Sequence, residues 1–191
     1  MKPLQQARRA SAGLLAAAAV AGAIAAPSPA TEPPSVARAA LAAPHLQGQA
    51  SVRFFGLPIY DAQLWVGPGF DAKQPLSQPF VLQLRYRRHL EGRAIAERSL
   101  QEMQRVGAIG TDEAALWRQQ MIASFPNVHD GDRLSGVYRP GQPVEFVWND
   151  RPIARIAGDR FARMFFGIWL APGTSEPALR SQLLGVGGAQ P

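Results

Sequence analysis

Polar and apolar residues alternate cleanly over two stretches in the first half of the chain. In "IYDAQLWV", Tyr60, Ala62, Leu64 and Val66 share one face, while Ile59, Asp61, Gln63 and Trp65 share the other. In "FVLQLRYR", Phe80, Leu82, Leu84 and Tyr86 stand opposite Gln83, Arg85 and Arg87. A period of two with one clean apolar face predicts strands of an antiparallel sheet covered on one side. "SVRFF", just ahead of Gly56, is a third candidate strand.

The period then changes. Ile95, Ser99, Met103 and Val106 recur at helical spacing between Glu91 and Val106, and Gly107 and Gly110 end the run. Thr111, followed by Asp112 and Glu113, has the cap hydroxyl and first-turn acids that open a helix. This second helix is predicted to reach about Phe125, where Pro126 stops it. Strands return in "DRLSGVYRPGQPVEFVWNDRPIARIAG", three short alternating runs divided by "RPGQ" and "ND", both turn signals. The spacing predicts a three-stranded meander.

Near the C-terminus, Phe161, Met164, Phe165, Ile168 and Trp169 form one apolar stripe, with Arg160, Arg163 and Gly167 elsewhere on the wheel. Asp159 is placed to cap this helix, and its span to Leu170, about 18 Å at ~1.5 Å per residue, is too short for a bilayer. Pro172 and Gly173 end it, and Ser175, Glu176 and Pro177 open a last helix. The predicted order β-β-β-α-α-β-β-β-α-α argues for an α+β fold, an antiparallel sheet of about six strands packed on one face by helices.

The N-terminus stands apart. Lys2, Arg8 and Arg9 precede the apolar run "AGLLAAAAVAGAIAA" at Ala12–Ala26, and small residues follow, with cleavage expected after Ala26 or Ala30. This is the layout of a secretory signal peptide over residues 1–30, and it predicts export to a bacterial periplasm. The twin arginine lacks the bulky apolar residue expected soon after it, which favours the general secretory route. The run is Ala-rich and shorter than the roughly 20 apolar residues of a span, so stable membrane insertion is not expected. Residues 31–45 read as a Pro/Ala-rich linker that buries little surface, and residues 46–188 as one domain.

Composition narrows the chemistry. The 191 residues include no Cys, which excludes disulfides, Cys-ligated zinc and a thiol nucleophile. His45, His89 and His129 are scattered without metal-ligand spacing, so neither metal nor cofactor is expected. Subtracting the three leader cations from the formal +6 leaves about +3, and "RYRR" at Arg85–Arg88 reads as a solvated strand face rather than a nucleic-acid footprint. No G-x-S-x-G or phosphate-binding G-x-x-x-x-G-K occurs, and "HDGDRLSG" lacks the further ligands of a calcium loop. Asp61, mid-strand near Arg53, Arg85 and Arg87, has two readings: an ion-paired or solvent-facing carboxylate, or a polar anchor inside an apolar cavity.

"GLPIYDAQLWV", "FVLQLRYRRHLEGRAIAERSLQEM", "FPNVHDGDRLSGVYRPG" and "FFGIWLAPGTSEPALRSQLLG" together resemble the bacterial chalcone isomerase-like family, from about Gln47 to Gly185. The resemblance implies a sheet curved against a helical layer, an open-faced β-sandwich with an apolar cleft between. Fold alone does not confer activity. The plant enzymes' arginine position falls near Gln49 or Ala50, leaving Arg53 as the nearest guanidinium. Their threonine position falls on Asp61, their tyrosine position on Glu91–Gly92 and their asparagine position near Arg98. A carboxylate at Asp61 would repel a phenolate, so the catalytic set is not carried over.

Two functions follow as expectations. One is a non-catalytic exported protein that holds an apolar small molecule, such as a fatty acid, between sheet and helices. Arg53, Tyr60, Asp61, Tyr86 and Trp169 are its candidate ligand-binding residues. The other is an isomerase or lyase acting on an enone, with Arg53 as the catalytic electrophile. No nucleic-acid partner is expected, and protein partners are not legible.

Overall fold

A computed structural model describes residues 32–186. Six strands form one antiparallel sheet: β1 (His45–Phe54), β2 (Leu57–Val66), β3 (Phe80–Tyr86), β4 (Arg133–Tyr138), β5 (Val144–Trp148) and β6 (Arg151–Ile156). The order across the sheet is the order along the chain. Helices α2 (Gly92–Val106) and α3 (Thr111–Ser124) intervene between β3 and β4, and α4 (Asp159–Leu170) and α5 (Pro177–Leu184) follow β6. The α+β order of these elements and their helix boundaries match the periodicities and the cap and stop signals that predicted them.

The core lies between the sheet and α2–α5. Ala62, Leu64 and Val66 of β2 and Phe80, Leu82 and Leu84 of β3 face it, as their alternation requires. The α4 helix sits at the centre. Its predicted stripe is buried apart from the half-buried Met164, and Phe166, Gly167 and Leu170 are buried too. Phe166 stacks edge-to-face on Phe80, and Trp117 of α3 meets Phe161 the same way. A stripe on one face understates a helix enclosed on most of its circumference. Neither Thr111 nor Asp159 caps through its side chain; Gly110 and Gly158 hold those positions, and the acids act from the first turn.

The linker expected over residues 31–45 is not unburied where it is described, from residue 32 on. Ser35–Ala40 form a helix, α1, on the sheet face away from the other helices. There Val36, Ala37 and Leu41 pack on Trp65, Val81, Val137 and Val147. Short Ala-rich helices are marginal alone, and docking against a sheet stabilises this one. Strand β1 also begins earlier than "SVRFF" implies, because "HLQGQ" lies on the sheet edge beneath α5. A Cβ on Gly48 would stand 2.1 Å from the Gln182 carbonyl oxygen, so only glycine permits that approach. The signal peptide expected over residues 1–30 lies outside the described residues.

Candidate functional site

Tyr60 and Tyr86 are ladder partners on the core face of β2 and β3, which sets their rings edge-to-face with centroids 6.0 Å apart. The α4 helix crosses above them and delivers Trp169, whose indole N–H donates to the Tyr60 hydroxyl oxygen at 3.1 Å. Phe165, one turn earlier, meets the Trp169 ring at 5.5 Å. Burial pushes the Tyr60 phenol up to about 12, against the smaller opposing effect of the Trp169 hydrogen bond. Burial also pushes the Tyr86 phenol up. Both are therefore neutral hydroxyls at neutral pH, suited to hydrogen bonding rather than to proton abstraction. Tyr86 is 2% exposed, and its hydroxyl makes no hydrogen bond among the described residues.

A polar group that periodicity hides lies beside this cluster. Glu102 of α2 is buried, and its Oε2 accepts from the Ser175 hydroxyl at 2.7 Å. Its Oε1 lies 2.6 Å from an Arg98 guanidinium nitrogen, within ion-pair distance but outside hydrogen-bonding geometry. The charges of Glu102, Arg98 and Glu176 all reach the Tyr60 phenol. The i,i+4 spacing of Arg98 and Glu102 was the available signal. It reads as an ordinary surface pair until Ser175 is placed over it.

A hollow of about 130 Å³ opens at the sheet edge between β1 and α5, lined by Ser51, Val52, Arg53, Glu176, Leu179 and Gln182 among others. Val52, in its wall, is the ladder partner of Tyr60, but of the five candidate ligand residues only Arg53 lines the hollow. Arg53 stands at its rim, exposed, donating to the Gly56 carbonyl at 3.3 Å. A larger hollow of about 340 Å³ lies on the opposite face beside α1, with Val36, Val137, Arg139, Glu145 and Pro152 in its walls. It falls at the lower end of the range for small-molecule pockets, roughly 300–1,000 Å³. None of the five candidate ligand residues lines it.

Asp61 does not join the cluster. It faces away from the core, accepting from the Ser51 hydroxyl and from Arg87, each at 2.6 Å. Burial works to raise its pKa, but these two partners outweigh burial and hold it below the usual carboxylate value. Of its two readings the ion-paired one describes it, and the anchor inside a cavity is corrected: odd and even positions of a strand face opposite ways, and Tyr60 took the inward one. The structure thus brings Tyr60, Tyr86 and Trp169 together, sets Arg53 at the adjoining rim and puts Asp61 across the sheet. At the position aligned with the plant tyrosine, a Cβ on Gly92 would lie 2.0 Å from the Phe125 carbonyl oxygen, so no phenol fits. Among the described residues no group of three or more His, Cys, Asp or Glu could hold a metal ion. None of the described helices is long and apolar enough to cross a membrane.

The profile of the chalcone isomerase-like family matches residues 44–185. The chain belongs to that family. It is also similar to an uncharacterized protein of Haemophilus influenzae, 30% identical over 112 residues, covering 59% of this chain and 54% of that protein's length. The fold is similar to the crystal structure of an Arabidopsis thaliana fatty-acid binding protein, with a TM-score of 0.56 at 8% identity, covering 74% of this chain and 86% of the other. At that identity the likeness speaks for the chalcone isomerase-like fold alone.

Proposed function

We propose that this chalcone isomerase-like protein is a non-catalytic, exported carrier of an apolar small molecule with a polar head, a fatty acid being the best-fitting class. The observation that carries the reading is the pair of neutral tyrosine hydroxyls in an apolar layer, beside an edge hollow with a guanidinium at its rim. Arg53 supplies a charge-assisted donor for a carboxylate, and Tyr60 and Tyr86 supply hydroxyls further in. The hollow is smaller than a typical ligand pocket, so the acyl chain enters where the Trp169 and Tyr60 rings now meet, and those rings turn aside to admit it. The fatty-acid binding protein that shares the fold adds weight to this class of ligand. Export rests on the basic n-region and apolar run of residues 1–30.

Native mass spectrometry of the protein purified from the periplasmic fraction tests both parts. The expected result is recovery from that fraction and saturable adducts with dodecanoic to octadecanoic acids. Absence of co-purifying lipid together with no adduct at any chain length refutes the binding reading, and retention in the cytoplasm refutes export. The enone isomerase alternative gains nothing from the geometry: Arg53 is solvent-exposed, where a guanidinium stabilises a developing enolate weakly.

A further inference from the structure

The β1–β2 hairpin ends in an apolar tip with no partner among the described residues. Phe54, Phe55 and Leu57 are 60%, 90% and 55% exposed, and the two phenyl rings pack on each other at 4.5 Å. Phe54 pairs with Leu57, so Phe55 and Gly56 form a two-residue turn, with φ of +47° and +77°. Positive φ at both central residues is the primed turn that strand twist favours, and it selects Asn-Gly or Asp-Gly. A phenylalanine in the left-handed region is strained, and at 90% exposure its contact with the exposed Phe54 ring is a small return.

The same molecule contains the polar version of this turn. The β5–β6 hairpin turns through Asn149 and Asp150, with φ of +45° and +66°. There the side chains are occupied: Asn149 accepts from the Arg133 backbone N–H at 2.8 Å and donates to Asp132 at 2.7 Å, and Asp150 pairs with Arg133 at 2.8 Å. The fold therefore accommodates the turn's preferred residues at one hairpin and departs from them at the other. Folding does not account for Phe55.

The charges around the tip match its apolar character to one kind of surface. Arg53 flanks it, and Arg85 and Arg88 lie at the same end of the sheet on β3 and just beyond it. Of the acids on this side, Asp61 is engaged by Arg87, and Glu176 lines the edge hollow with Arg53 but forms no ion pair with it. Arg53, Arg85 and Arg88 have no carboxylate within ion-pair distance among the described residues. Aromatic and aliphatic side chains leading, with unpaired arginines behind them, is the order that suits an anionic lipid bilayer: rings enter the acyl boundary and guanidiniums meet the phosphates. We infer that the Phe54–Leu57 hairpin tip is a docking element for an anionic lipid surface. This goes beyond ligand binding and does not depend on it. It also sets the edge hollow next to the bilayer, since Arg53 belongs to both.

The test is co-sedimentation of the protein, without added fatty acid, with vesicles of phosphatidylcholine alone or mixed with phosphatidylglycerol. Phe55→Asn is the informative variant, because asparagine suits the turn. Wild type and variant share the same N-terminus, so their difference reads the tip. Expected are preferential binding to the anionic vesicles, weakening as salt rises from about 0.1 to 1 M, and about tenfold weaker binding by Phe55→Asn with an unchanged or higher Tm. Equal affinity for neutral and anionic vesicles, or full binding by the variant, overturns the inference. So does a lower Tm for the variant, which would give Phe55 a structural role. A concentration-dependent dimer that Phe55→Asn abolishes, without vesicle binding, overturns it in favour of self-association.

Discussion

Two chemically identical substitutions on neighbouring strands should have unequal effects on stability, one costly and the other neutral or mildly favourable. Tyr60→Phe removes the acceptor of the Trp169 indole N–H, a bond of 3.1 Å inside the core layer, and leaves a buried donor unpaired. Such an orphan costs about 1–3 kcal/mol. Tyr86→Phe removes a hydroxyl on a more deeply buried ring that has no hydrogen-bond partner among the described residues, so nothing is stranded. The phenyl ring and its edge contact at 6.0 Å remain, and loss of the uncompensated hydroxyl is neutral or stabilising by up to about 1 kcal/mol. The pair should therefore differ by about 1–4 kcal/mol, with about 2 kcal/mol as the central value. For a chain of this size each kcal/mol moves Tm by roughly 2–4 °C, so thermal melts should separate the variants by about 4–8 °C, with Tyr60→Phe below wild type. Urea unfolding with unchanged m-values confirms that the native state, not the denatured one, is responsible. Equal melting temperatures, or a Tyr86→Phe protein less stable than Tyr60→Phe, would falsify the hydrogen-bond assignment on which the site description stands.

Three further outcomes follow from the same geometry. Gly48→Ala should destabilise by at least about 1–3 kcal/mol, read by denaturant unfolding, because its Cβ meets the Gln182 and Leu183 carbonyl oxygens at 2.1 and 2.5 Å and α5 must shift; near-wild-type stability would show that α5 is not seated on β1. Asp61, Asp132 and Asp150 have lowered pKa values in the fold, so the unfolded chain binds protons first as pH drops; their stability contribution is present above the ordinary value of 3.8 and is lost as pH falls through and below it. Replacing Asp61 with Asn should shrink that acid-side loss in a pH series of melts, and an unchanged acid limb would count against its ion pair. Arg53→Ala should weaken fatty-acid binding several-fold in a displacement assay, while a tetrahydroxychalcone should cyclise no faster with wild type than in buffer; wild-type acceleration that Arg53→Ala removes would instead identify an isomerase.

Much of this fold was legible wherever a segment satisfies one period along its whole length. β2, β3 and the β4–β6 meander alternate because one face meets the helices, and α2 and α4 repeat at 3.6 because each turns one side to the core. The α3 helix was legible from its first-turn acids and the Pro126 stop instead. The first half of β1 was not legible, since an edge strand under α5 needs Gly48 more than it needs alternation. Nor was α1, whose stability lies in Trp65, Val81, Val137 and Val147 rather than in its own six residues. At the site, alternation placed Tyr60 and Asp61 on opposite faces of β2, but strand periodicity does not say which face a ligand meets. The Tyr60–Trp169 bond spans 109 residues and the Glu102–Ser175 bond 73, and no local pattern encodes either meeting.

The sheet's plain order also says how the chain reaches its folded state. Every ladder joins strands adjacent in sequence, and four of the five close over a turn or loop with no α-helix in it. The seam between β3 and β4 is different, because α2 and α3 lie in the loop it closes. Two three-stranded meanders can thus form early and cheaply in chain entropy, while Leu84 meeting Leu134 waits on the helical hairpin. The slow event is this zipping of two halves. Core truncations along the seam should slow refolding, whereas equally destabilising ones at the β5–β6 turn should mainly speed unfolding.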